Sequence, residues 1–124
     1  RLGRYYFHAP ILVERNNHGH TLISWWREHS SLSLIEGMDS TPTNRKYGWQ
    51  QNVRTKPQMW SNTADMLRDE EIILHSEKTI MQLADISAST GEASEGNNDD
   101  CAVTVGLFCA SQKSLQKKFL LSFV

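Results

Sequence analysis

Ile11-Leu12-Val13-Glu14-Arg15-Asn16-Asn17-His18-Gly19 is the stretch whose reading decides the fold. A short, wholly apolar and partly β-branched run follows Pro10 and stops at an acid. Such a run, bounded by turn residues, predicts a strand buried on both faces of a parallel sheet. Asn16-Asn17-His18-Gly19 is turn chemistry. Residues 20–29 then place Leu22, Trp25 and Trp26 at helical spacing, which predicts a helix with those side chains facing inward. In open α/β sheets ligands bind beyond the carboxyl ends of the strands, and Glu14 falls at such an end.

Further strands are expected at 32–35 and 72–75, and the last turns of a helix at 1–8. Residues 36–51 lack an apolar period and contain Gly37, Pro42 and Gly48, hence a loop. Thr55-Lys56-Pro57 opens a helix with an apolar stripe of Trp60, Ala64 and Leu67. Ser76 caps another, striped by Ile80, Leu83 and Ala84. Residues 87–98 are small, polar and acidic, hence a loop. Asn97 or Asn98 then caps a helix with Asp99 and Asp100 in its first turn and an apolar body over 101–110. Residues 113–124 mix lysines with Phe119-Leu120-Leu121 and are compatible with either helix or strand. Strands alternating with helices predict an α/β domain with a mostly parallel sheet. The expected organisation is one partial domain over 1–112 and a tail over 113–124.

The chain has 124 residues, 39% hydrophobic and 22% charged, with a net charge of −1. Those values suit a folded domain, and its apolar runs are too short to span a membrane. There is no global basic field, so contact with nucleic acid requires local basic patches. No leader sequence is apparent, and the opening at Arg1 without a Met suggests a trimmed tag or a piece of a longer chain. Cys101 and Cys109 stand eight residues apart on one expected helix, roughly 12 Å at 1.5 Å rise per residue, too far for a disulfide.

Glu14, Asp99 and Asp100 are the acids placed where chemistry is expected. Carboxylate oxygens on rigid elements hold Mg²⁺ or Mn²⁺ for phosphodiester cleavage. Taken singly, an Asp pair at a helix start reads as dipole compensation, and a Glu after a strand reads as a solvated loop residue.

Val13-Glu14-Arg15-Asn16-Asn17-His18-Gly19 resembles the Glu-x-Asn-x-x-Gly segment of the large terminase subunits of tailed phages. Residues 48–57 are similar to the stretch that precedes a long helix in these proteins, and 67–76 to the helix-to-strand step that follows. Residues 91–107, with Asn98-Asp99-Asp100 inside, resemble the family's third acidic motif. These matches, in order, cover about residues 3–110. The resemblance implies a partial RNase H-like nuclease domain lacking its first strands. It implies two-metal cleavage of double-stranded DNA during packaging, in the bacterial cytoplasm, with Glu14 as the second acidic ligand and Asp100, beside Asp99, as the third. Arg15, Arg54 and Lys56 are candidate contacts to DNA phosphates near those acids.

The family's first catalytic Asp lies upstream of the segment that begins at Arg1, and no residue here replaces it; Asp39 and Asp65 stand in other contexts. The motor's Gly-x-x-x-x-Gly-Lys-Ser/Thr loop is absent from these residues, and Asn98 stands where the family commonly has His. The expectation is therefore a truncated nuclease, weak or inactive alone. The alternative is a non-catalytic remnant serving as a small oligomeric α/β interaction module, and a further reading is passive DNA binding through Arg15, Arg54 and Lys56. Without the family's first strand, residues 11–13 would show an open apolar edge, which predicts a homo-oligomer. His18 and His20 read as turn and helix start rather than a Zn²⁺ pair. Trp25, Trp26, Trp49 and Trp60 read as core and loop anchors, and Cys101 has no His partner that would make it a nucleophile.

Overall fold

The computed structural model describes residues 5–31 and 33–122, with side chains in the last helix described only through 112 and at 115. Four helices run through the described residues: α1 (Gly19–His29), α2 (Thr55–Arg68), α3 (Glu77–Ala84) and α4 (Asp100–Ser122). The chain divides into two compact units, one of residues 1–52 with 113–124 and one of residues 53–112.

No sheet forms among the described residues, which corrects the expectation of an RNase H-like α/β domain with a parallel sheet. Pairing is confined to isolated bridges: Ile11 with Leu34 and Glu14 with Trp49, both parallel, and Glu36 with Tyr47, antiparallel. The Ile35 amide donates to the Ile11 carbonyl at 2.9 Å, and the Trp49 amide to the Val13 carbonyl at 2.7 Å. The apolar stretch at 11–13 thus touches one partner at its start and another at its end. Neither pairing is long enough to become a ladder. A short apolar run has no period of its own, so it cannot specify a strand without partners of matching length. The expected strand at 32–35 contributes only the bridge of Leu34 to Ile11, and Leu32 lies outside the described residues. Residues 72–75 are irregular, with Ile73 76% exposed, where a central parallel strand would be buried. With no strand at 11–13, the open-edge argument for a homo-oligomer loses its basis. Of the helix expected at 1–8, residues 1–4 lie outside the described residues and 6–8 form a turn.

In the first unit, α1 turns its Ile23 inward, while Leu22 and Trp25 are largely exposed, so the expected inward face is rotated. Leu22, Trp25 and Trp26 set the periodicity in the sequence, but the β-branched Ile23 meets the core. Ile23 lies near Gly48, whose φ of +83° and crowded surroundings both require glycine: a Cβ there would come within 2.5 Å of the Val13 carbonyl oxygen and 2.8 Å of Ile23 Cδ1. Ile35 and Trp49 complete this core.

In the second unit, α2 buries Met59, Asn62, Thr63 and Met66. Ala64 and Leu67 of the expected stripe are exposed, and Trp60 is half-buried. Met59 is fully buried, and its thioether packs where Gly106 of α4 leaves room: a Cβ on that glycine would lie 2.9 Å from the sulfur. Ala102, Cys109 and Ala110 bury the same side of α4, but Thr104 and Phe108 are exposed, so the run at 101–110, apolar nearly all round and expected to be buried, is buried on one side only. Small residues on one helix and a flexible thioether on the other allow close approach. Ser76 caps α3, its hydroxyl accepting from the Thr79 amide at 3.3 Å. Of the expected α3 stripe, Ile80 and Ala84 are exposed and Leu83 is half-buried. Residues 113–122 continue α4, so the described part of the tail is helix.

Candidate functional site

The Glu14-x-Asn16-x-x-Gly19 segment is built by contacts that each need the residue type present. Asn16 Nδ2 donates to the Gln51 carbonyl at 2.8 Å, and the Gln51 amide donates back to Asn16 Oδ1 at 2.8 Å. This reciprocal pair imitates the two-bond exchange of a strand pairing and extends by one step the link between Glu14 and Trp49. Asn17 takes φ +56°, a left-handed conformation that Asn tolerates better than most residues. Gly19 then starts α1 directly over the bridged segment: a Cβ there would lie 1.8 Å from the Glu14 carbonyl oxygen. The backbone of Glu14 is therefore clamped, while its side chain is exposed and, among the described residues, has no hydrogen-bond or ion-pair partner.

Asp99 and Asp100 open α4, in the second unit. Asp99 is half-buried and its carbonyl accepts from the Val103 amide at 2.8 Å; Asp100 is exposed, and its carbonyl accepts from the Thr104 hydroxyl at 2.8 Å. The cap expected from Asn97 or Asn98 comes instead from α3. Gln82 Oε1 accepts from the Cys101 amide at 2.8 Å and the Ala102 amide at 3.2 Å, satisfying two otherwise orphaned donors of the first turn. Asn97 is engaged elsewhere, donating from its amide to Asp85 Oδ2 at 3.1 Å. Asp85 also accepts from the Ser94 hydroxyl and amide, at 2.7 Å and 3.0 Å. The Ser94 hydroxyl, the Asn97 amide and the Ser94 backbone together hold the Asp85 carboxyl below its ordinary pKa. Asp85 is thus the organiser of the loop before α4.

Among the described residues no group of three or more His, Cys, Asp or Glu side chains gathers as a metal site. His18 is the N-cap residue of α1 without a side-chain cap bond, and His20 lies in its first turn.

Of the three expected DNA contacts, Arg15 and Lys56 are engaged in ion pairs. Arg15 is 6% exposed and its guanidinium pairs with Asp39, which also meets Lys46 Nζ at 3.3 Å. Burial pushes the Asp39 carboxyl up, but the hydrogen bond and charge of Arg15, helped by Lys46, outweigh it and leave its pKa lowered. Arg15 therefore presents its charge to Asp39 rather than to solvent, and its Nε is buried with no partner. Lys56 is half-buried and pairs with Glu92 at 2.5 Å. Arg54 is exposed at the N-cap of α2 and takes part in further interactions.

Trp49 is a core residue whose indole N–H donates to Gln51 Oε1 at 3.1 Å. Trp60 anchors the acidic loop through a 3.0 Å bond to the Gly91 carbonyl. Trp25 is 53% exposed and stacks on His29, ring centroids 4.9 Å apart. Burial pushes the Cys109 thiol up, with the Thr63 hydrogen bond opposing, so the thiolate is disfavoured.

A feature of the first unit that sequence reasoning missed is an open cleft of about 350 Å³, with Trp26, Arg27, Leu34, Glu36, Arg45 and Tyr47 in its wall. The Arg27 guanidinium lies 5.2 Å from the centroid of the Tyr47 ring. Arg45 Nη1 donates to Glu36 Oε1 at 2.8 Å, and the Ser40 hydroxyl donates to Glu36 Oε2 at 2.9 Å. The local signal was only an arginine in the last turn of a helix, and its partners come from a segment that reads as loop.

Comparison with known protein families, curated proteins and solved structures finds no match to this chain.

Proposed function

We propose that the chain is part of a metal-dependent DNA endonuclease of the viral DNA-packaging kind, weak or inactive alone, with Glu14 and the Asp99–Asp100 pair as its acidic positions. The supporting observation is the division of labour in the Glu14-x-Asn16-x-x-Gly19 segment. Asn16 and Gly19 are accounted for by backbone clamping and close approach, whereas the Glu14 carboxylate is exposed and does nothing for the fold. A rigid backbone under an unengaged carboxylate is what a ligand position requires. Hard carboxylate oxygens suit Mg²⁺ or Mn²⁺. When bound, such ions lower the pKa of a water and offset charge on the leaving oxygen. The chain's own part is to hold Glu14 in place and to carry Asp99 and Asp100 at the start of a helix.

The test combines Mn²⁺ binding by calorimetry with nicking of supercoiled plasmid. Expected is Mn²⁺ binding that is lost in Glu14→Ala and in Asp100→Ala, with at most slow nicking that disappears in the same variants. Nicking that survives either substitution, or a chain that takes up no Mn²⁺, refutes the proposal.

A further inference from the structure

We infer that the cleft beside the end of α1 binds a nucleotide unit, with Arg27 holding its phosphate. The cleft volume of about 350 Å³ falls at the lower end of the range for small-ligand sites, roughly 300–1,000 Å³. Its charged groups are Arg27, Arg45 and Glu36. Glu36 is engaged by Arg45 and by Ser40, so its charge is answered within the wall. Arg27 has no carboxylate partner among the described residues and is steadied by the Tyr47 ring instead. The cleft is thus left with one uncompensated cation, held in place and backed by aromatic surface. A guanidinium suits phosphate because its donors form a planar fork. Trp26 and Leu34 supply apolar wall for a base. By contrast, Arg15 and Lys56 are already paired with Asp39 and Glu92. The carboxyl end of α1 opposes an anion, which Arg27, in its last turn, offsets.

The inference is independent of the metal chemistry proposed above, and its test runs in EDTA, so either can fail alone. The full chain is titrated with a thymidine octanucleotide, thymidine monophosphate and inorganic phosphate, read by calorimetry. Expected is binding of both thymidine ligands, each tighter than inorganic phosphate. Arg27→Gln should weaken octanucleotide binding about tenfold and reduce the salt slope by about one. Arg68→Gln removes the same charge from an exposed helix end in the other unit and should leave binding unchanged. Octanucleotide binding without monophosphate binding would make the contact a strand-backbone one and overturn the nucleotide pocket. Equal losses in both variants would reduce the effect to net charge, and binding of inorganic phosphate as tight as the nucleotides would leave the base without a role; each overturns the inference.

Discussion

At the scale of single residues, Asn16 carries more structure than its size suggests. Its amide substitutes for a backbone pairing to Gln51, both bonds at 2.8 Å and partly buried. Asn16→Ala should cost about 1–3 kcal/mol, the range for leaving partly buried donors and acceptors unpaired. Chemical denaturation checks this, and a loss near zero would mean that water replaces the amide. Asp39 gives a pH-dependent contribution. Its pKa is lowered in the fold, so the stability it supplies is present above its unfolded value, about 4. That stability is lost as pH falls through the folded value below it. The carboxyl side chain is 44% exposed, so solvent screens part of the effect. Thermal midpoints measured against pH should fall more steeply below about pH 4 in the wild type than in Asp39→Asn; parallel curves would contradict the pairing with Arg15.

Among the elements, α4 shows how a helix start can be completed from outside. Asp99 and Asp100 supply charge, but the amides of Cys101 and Ala102 are met by Gln82 of α3. Gln82→Ala should therefore behave like loss of a cap, costing about 0.5–2 kcal/mol, with amide exchange accelerated first at Cys101 and Ala102. Unchanged exchange there would show that the helix start holds without Gln82. The cap of α3 was legible because Ser76 lies immediately before its own helix. The cap of α4 was not, because the side chain that accepts from its first amides is 19 residues away in sequence. The helix faces were misjudged for a related reason. On α1 the wide residues Leu22 and Trp25 are exposed and Ile23 is inside. Periodicity says that a helix has an apolar side, but neighbours decide which side is covered.

Across the whole molecule, the described residues are mostly helical, and pairing is limited to isolated bridges. A far-UV circular dichroism spectrum should be dominated by helix; a strong strand component would contradict this architecture. Among the described residues no helix is long and apolar enough to cross a membrane. The order of the helices from residue 19 onward, the turn at 16–18 and the cap at Ser76 were readable locally, because caps, turns and apolar runs act over a few residues. What residues 11–13 pair with, which face of each helix is buried, where Arg15 spends its charge, and the meeting of Arg27 with Tyr47 were decided only by tertiary structure. Each depends on groups distant in the chain, and a short apolar run or a lone arginine is equally compatible with several partners until packing selects one.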